Sequence, residues 1–415
     1  MSVTQVFWPL VYQDVPVDHR IAPMTKHIGV LRTTGRTGEH MSTEDPAGAP
    51  SPASANDIDF ASADPGDGVG LCLSGGGYRA MLFHAGSLAR LNEAGWLPKL
   101  TRVTSVSGGS IVAGRLGLRW QHLRFGADGC AENFADEVLT PVVALSRVGI
   151  DAGAVLKGLL LPGTVSKRVA TAYDRHLFHG ATLQDLPDDD HGPRFIILAT
   201  NLTNGTLWRF SRPYMRDWKT EPILNPTVAL AQAVAASSAF PPVLSPSILE
   251  LPGGVEHTLT DGGVYDNLGL EPVVKNCHTV LVSDGGGMFT EQERPHRDWI
   301  RGTIRVLMVM DVEVRRLRRR QVVGALAAGQ RAGAFWAINS LRSSFPAVGG
   351  IACPPDRTMA LAKVATRLAK LDRRTAEAVV NWGYLAADSA LRSYVDPATP
   401  IGEALPYPRS GFSAT

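Results

Sequence analysis

Val103-Thr104-Ser105-Val106-Ser107-Gly108-Gly109-Ser110 is the stretch on which the reading of this chain turns. A β-branched run stops at a serine followed by two glycines. A new apolar pattern then begins at Ile111-Val112 and continues through Leu116, Leu118 and Trp120. That succession predicts strand, sharp turn and helix, with the Ser107 hydroxyl held out at the bend. Gly109 fits because a side chain beside such a turn would crowd both the backbone and an incoming ligand. An ordinary Ser-Gly-Gly loop would read the same way, so the flanking sequence has to decide.

Upstream, Val69-Gly70-Leu71-Cys72-Leu73 is an apolar run bounded by glycine, as expected for a strand buried on both faces. It enters Ser74-Gly75-Gly76-Gly77-Tyr78-Arg79, after which Met81, Leu82, Ala85, Leu88, Ala89 and Leu91 recur at helical spacing up to Gly95. Strand, glycine turn, helix and strand make a β-α-β unit, and hence a parallel pair. Gly75 to Ala80 formally fits the dinucleotide pattern Gly-x-Gly-x-x-Gly/Ala. That pattern expects a carboxylate closing the second strand, where this chain has Ser107-Gly108-Gly109. The other use of the glycines is an oxyanion hole, in which N–H groups at a helix start converge on one point and the helix dipole adds to their pull.

A serine nucleophile needs a base. His84 falls within a helical pattern, and none of His176, His179, His191, His257 and His278 sits in a convincing strand-end loop. Asp261 does end a strand, in Thr258-Leu259-Thr260-Asp261-Gly262-Gly263. Val280-Leu281-Val282-Ser283-Asp284-Gly285-Gly286 repeats that grammar, so Asp284 competes with Asp261. A carboxylate with an ordinary pKa near 4 is a weak base and would need a dry pocket and contact with the serine.

Taken together and in order, these motifs resemble the patatin-like phospholipases. Gly75-Gly76-Gly77-Tyr78-Arg79 is similar to that family's oxyanion turn, and Ser105-Val106-Ser107-Gly108-Gly109 to its Gly-x-Ser-x-Gly elbow. Ala236-Ser237-Ser238-Ala239-Phe240-Pro241-Pro242 resembles its Ser-x-x-x-Pro segment, and Asp261-Gly262-Gly263 its Asp-Gly-Gly/Ala motif. The resemblance runs from Gly68 to about Asp284, with Ser105 and Ala80 replacing glycines of the pattern. It implies an α/β fold, a mainly parallel central sheet flanked by helices on both faces. It also implies a phospholipase A-type lipid acyl hydrolase that cleaves carboxylic esters through an acyl-serine intermediate. Ser107 and Asp261 would form its dyad, with Gly75, Gly76 and Gly77 as the oxyanion hole and Arg79 and Gly109 in support. Asp261 is preferred to Asp284 because Val264-Tyr265-Asp266-Asn267 continues the family pattern. Arg79 could order the turn, meet a phosphate or form a salt bridge. A weakly active lipid- or partner-binding protein on the same fold is the alternative.

Composition is that of a globular protein with a real core. The 415 residues are 44% hydrophobic, and 41 basic against 39 acidic residues leave no field for nucleic-acid binding. Four cysteines, Cys72, Cys130, Cys277 and Cys353, stand singly, which suits reduced thiols in a cytoplasmic setting and implies no metal site or other cofactor. Met1–Leu10 has neither the basic start nor the apolar core of a secretory signal. The uncharged segment from Pro222 to Leu249 carries too many prolines and polar residues for a membrane span. The partner that the resemblance implies is a phospholipid or other acyl-ester lipid, with peripheral contact at the inner membrane surface.

The expected division is an N-terminal extension and linker over 1–66, a catalytic domain over 67–395 and a loose tail over 396–415. Within the domain, Phe195–Thr200 and Thr206–Phe210 predict a hairpin, and Asn225-Pro226 the start of a helix through Val234. Ile304–Val309 reads as a strand, and the cluster Arg315, Arg316, Arg318, Arg319 and Arg320 as opening a long helix to Leu341. That helix would have either a solvated basic face or a contact with anionic headgroups. Val155–Pro162 is the most lipid-friendly piece, with a packed helix as its alternative, and Val379 to Leu391 predicts a closing helix.

Overall fold

The computed structural model describes residues 65–150 and 164–413, apart from 243, 252, 253, 290, 297 and 348. All but the last two residues of the N-terminal extension, and Val155–Pro162, lie outside the described residues.

The first elements are β1 (Val69–Leu73), α1 (Gly77–Glu93), β2 (Arg102–Val106) and α2 (Gly108–Arg119). Then come α3 (Thr164–Tyr173), β3 (Arg194–Asn201), β4 (Thr206–Phe210), β5 (Tyr214–Arg216), β6 (Ile223–Leu224) and α4 (Leu230–Ser237). The second half supplies β7 (Ser247–Glu250), β8 (Glu256–Asp261), β9 (Thr279–Asp284), α5 (Trp299–Ala327), β10 (Ala332–Ala337), α6 (Pro355–Ala362) and α7 (Arg373–Ala390).

The strands form one mixed sheet in the order β10-β9-β1-β2-β3-β4-β5-β6, with β8 also on β3 and β7 on β8. The five strands from β10 to β3 are parallel, and the flank beyond β3 is antiparallel. Alternation along the parallel strands feeds two cores. Leu71, Leu73 and Leu281 face the larger core with α1, α2, α4 and α7, whereas Cys72, Val280 and Val282 face Val273, Val322 and Ala325. Helices therefore cover both faces, as the resemblance implied. Backbone contact locks α1 to α7: a Cβ on Gly86 would stand 1.9 Å from the Val380 carbonyl oxygen, and one on Gly383 1.9 Å from that of Phe83.

Several sequence expectations change. Ile304–Val309 is helix, not strand, because α5 already starts at Trp299, where the Asp298 carboxylate caps the Arg301 N–H at 2.9 Å. Apolar residues on both sides of this segment had hidden its period. The helix does not run on to Leu341 either: it ends at Ala327, Gly329 turns with φ 67°, and β10 follows. Asn225-Pro226 does not open a helix. Asn225 sits at φ 46°, and the next residues are held extended by Leu183 N–H donating to the Val228 carbonyl at 3.0 Å, so α4 begins at Leu230. The C-terminal tail is docked rather than loose: the Asn381 amide donates to the Tyr407 and Gly411 carbonyls at 2.8 Å each, and Phe412 is buried.

Candidate active site

β2 and β8 share one edge of β3. Val106 pairs with Leu198, and at the next position, Ala199, the partner is Asp261 of β8. The two strands run head to head, so Ser107, one residue past β2, and Asp261, the last residue of β8, arrive at the same point.

Ser107 has φ 50° and ψ −117°, a left-handed backbone that a serine adopts only when its surroundings impose it. Those surroundings are specific. The Ser107 N–H donates to Ser237 Oγ at 2.9 Å, and Ser110 Oγ lies 2.8 Å from the same hydroxyl. Ser110 Oγ also donates to Ser105 Oγ at 3.1 Å, which gives the serine that replaces a glycine in the elbow a place in the network. Gly109 N–H donates to the Ser74 carbonyl at 3.2 Å, and a Cβ on Gly108 would stand 2.1 Å from the Gly77 carbonyl oxygen. The elbow and the glycine turn are thus packed backbone against backbone.

In that turn Gly76 and Gly77 have φ 146° and 61°, and both stand at the N-terminal end of α1. Among the described residues neither N–H has an acceptor, so both remain available to an anion at the helix start. Gly75 is the exception within the sequence-predicted trio. Its N–H donates to the Asn267 carbonyl at 3.1 Å, which leaves it a positioning part rather than a donor to a ligand.

Asp261 is buried, and its Oδ1 accepts the Gly263 N–H at 2.7 Å. Oδ2 is buried without a hydrogen-bond partner. Burial pushes the carboxyl up to about 7; the Gly263 N–H and the adjacent Ser107 hydroxyl pull it back, and the Asp311 charge raises it further. Asp284 differs: its Oδ1 accepts from Ser74 Oγ at 3.1 Å and from the Gly286 N–H at 2.8 Å, so it is engaged in its own loop. His84 is buried between Ser283 Oγ at 2.8 Å and the Ser74 carbonyl at 2.9 Å, and burial lowers its pKa to about 4. It is a neutral brace for the turn. Arg79 is buried and donates to the carbonyls of Gly285 at 3.2 Å and Val364 at 2.5 Å, binding the glycine turn to the loops after β9 and α6.

A cavity of about 110 Å³ opens over this point, lined by Gly75–Gly77, Ser107, Asp261 and the apolar Phe240, Pro241, Pro242 and Leu244. At about 10–15 Å³ per water position, that space exceeds what a few solvent molecules need. Its far wall is the inner face of α5, where Ile304, Met308, Asp311 and Arg315 recur every three or four residues. Burial raises the Asp311 carboxyl, with Arg315 opposing. Sequence reading missed this wall because Ile304–Val309 read as a strand. The signal that could have found it was Asp298 as an N-cap, followed by that spacing.

A glycine turn, a strained serine elbow and a buried carboxylate thus meet around one apolar cavity of an α/β sheet. Residues 71–274 match the family model of the patatin-like phospholipases, and the chain carries a patatin-like phospholipase domain. Among solved structures, VipD from Legionella pneumophila is 15% identical with a TM-score of 0.33, over 79% of this chain and 67% of that one. Human GIVD cytosolic phospholipase A2 is 15% identical with a TM-score of 0.34, over 54% of this chain and 43% of that one. The chain thus spans less than half the length of the human enzyme. No curated protein matches in a comparison of sequences.

Proposed function

We propose that this protein is a lipid acyl hydrolase of the phospholipase A type, acting through Ser107 and Asp261. The observation that carries the reading is the head-to-head meeting of β2 and β8, which sets an unpartnered buried carboxylate oxygen beside the hydroxyl of a strained serine. Ser107 Oγ attacks the ester carbonyl carbon while its proton passes to Asp261 Oδ2. The N–H groups of Gly76 and Gly77 hold the oxygen that becomes negative, where one such donor is worth about 3–4 kcal/mol of barrier. The C–O bond to the alcohol breaks, and the departing oxygen takes the proton from Asp261. Water then attacks the acyl-serine, gives a proton to Asp261, and the fatty acid leaves as Ser107 recovers its hydrogen. The apolar cavity wall suits an acyl chain. A general base that is neutral below about pH 7 confines turnover to pH values at which the carboxyl ionises.

The test is release of fatty acid from phospholipid and of p-nitrophenol from short acyl esters. Ser107→Ala and Asp261→Asn should each abolish both, and full activity in either variant removes that residue from the scheme. Labelling of Ser107 by a fluorophosphonate, lost in Ser107→Ala, separates an enzyme from an inert lipid-binding protein.

A further inference from the structure

α5 is 29 residues long, which makes it about 43 Å from end to end. Its second half is anchored in the smaller core by Val322 and Ala325, and before them Val312 near the middle is the one buried residue. In the first half one face lines the cavity through Ile304, Met308 and Asp311. The opposite face is apolar as well, and it faces solvent. Trp299 is 80% exposed, Val306 57% and Met310 58%, and Ile300 and Leu307 are exposed beside them. A contiguous apolar stripe of this kind on a helix surface marks a docking site rather than a structural face.

The charge on the helix says what docks. Seven arginines stand on the helix against Asp311 and Glu313 alone, and beyond the stripe Arg316 and Arg320 are exposed, whereas Arg315 lines the cavity. Tryptophan and aliphatic residues combined with arginines on one helix match an interfacial element that lies in the headgroup layer of an anionic lipid surface.

We propose that the outer face of α5, from Trp299 to Met310, docks on anionic lipid surfaces. The proposal rests on the lipid hydrolase reading for its purpose, but its test does not. Wild type should sediment with phosphatidylglycerol vesicles more than with phosphatidylcholine vesicles, and added salt should weaken that binding. The combined Val306→Ser, Leu307→Ser and Met310→Ser protein should lose vesicle binding by about tenfold or more. It should keep hydrolysis of soluble p-nitrophenyl butyrate, since none of the three lines the cavity. Trp299→Gln, an exposed change at the helix start, should weaken binding by itself and guards against a folding defect in the triple variant. Unchanged sedimentation of both variants overturns the proposal. So does a triple variant that turns a dimer into a monomer by light scattering while vesicle binding stays intact, since the stripe would then join two copies. Ser107→Ala should bind vesicles like wild type; if wild type binds them yet cleaves no ester, the docking surface stands and the hydrolase reading falls.

Discussion

Val106 and Asp261 occupy consecutive positions along the same edge of β3, opposite Leu198 and Ala199. A parallel strand that ends and an antiparallel strand that takes over its edge must point their ends at each other. This places the residue after Val106 against the carboxylate. The register of two pairings separated by more than 150 residues of chain therefore decides the geometry of the candidate site.

The first prediction concerns pH. Ionised Asp261 is the proposed base and its carboxyl titrates at about 7, so kcat/KM on a soluble ester should rise as pH passes through 7. The Asp311 charge contributes to that elevation, and Asp311→Asn should move the acid limb to lower pH. A pH–rate profile of the two proteins checks this, and an unmoved limb would sever Asp311 from Asp261.

The same carboxyl makes a stability prediction. In the unfolded chain Asp261 ionises near its ordinary value of 3.8, whereas in the folded protein it holds its proton up to about 7. The folded state binds the extra proton, so the contribution is fully present below about 4 and is lost as pH rises through about 7. Asp261→Asn cannot ionise, and its melting temperature relative to wild type should increase between pH 5 and pH 8. A constant difference across that range would contradict the buried, raised carboxyl.

Ser237 is predicted to be a positioning residue. Its hydroxyl accepts the Ser107 N–H at 2.9 Å, and Ser237→Ala leaves that buried amide unpaired, at a cost of about 1–3 kcal/mol. Loosening the elbow should lower kcat while KM for a soluble ester changes little, and the acid limb near pH 7 should stay where it is. Full kcat in the variant would mean that the elbow holds its shape without Ser237.

Gly108→Ala is predicted to be incompatible with the site. Its Cβ would lie 2.1 Å from the Gly77 carbonyl oxygen, backbone that cannot swing away as a side chain could. The variant should be insoluble, or should fold with the two turns forced apart and fail to react with fluorophosphonate. A soluble protein with wild-type labelling would show that the turns do not need this contact.

Much of the site was readable in the letters because it is built from local signals. Val69–Leu73 and Val103–Val106 are apolar runs ended by glycine turns, and their neighbours along the chain give both the strands and the bends. α5 was not readable, because its first half is apolar on both sides: one side lines a cavity and the other faces solvent. Two apolar faces on one helix blur the period that a single face would show. The helix expected from Asn225-Pro226 starts later, at Leu230, for a different reason, since hydrogen bonding of Val228 to the distant Leu183 outweighed the N-terminal signal.

What the sequence by itself determined, then, was the chemical repertoire: a serine at a strand-to-helix bend, glycine donors ahead of a helix, and two aspartates each ending a strand. Only the tertiary structure decided what each of them already engages. It engaged the Gly75 N–H with Asn267 and left those of Gly76 and Gly77 without an acceptor among the described residues. It tied Asp284 to Ser74 and the Gly286 N–H, and it left one buried oxygen of Asp261 without a hydrogen-bond partner. The physical reason is that a hydrogen-bonding group is defined by what already occupies it. That occupancy is fixed by strand register and close backbone packing between segments far apart in the chain.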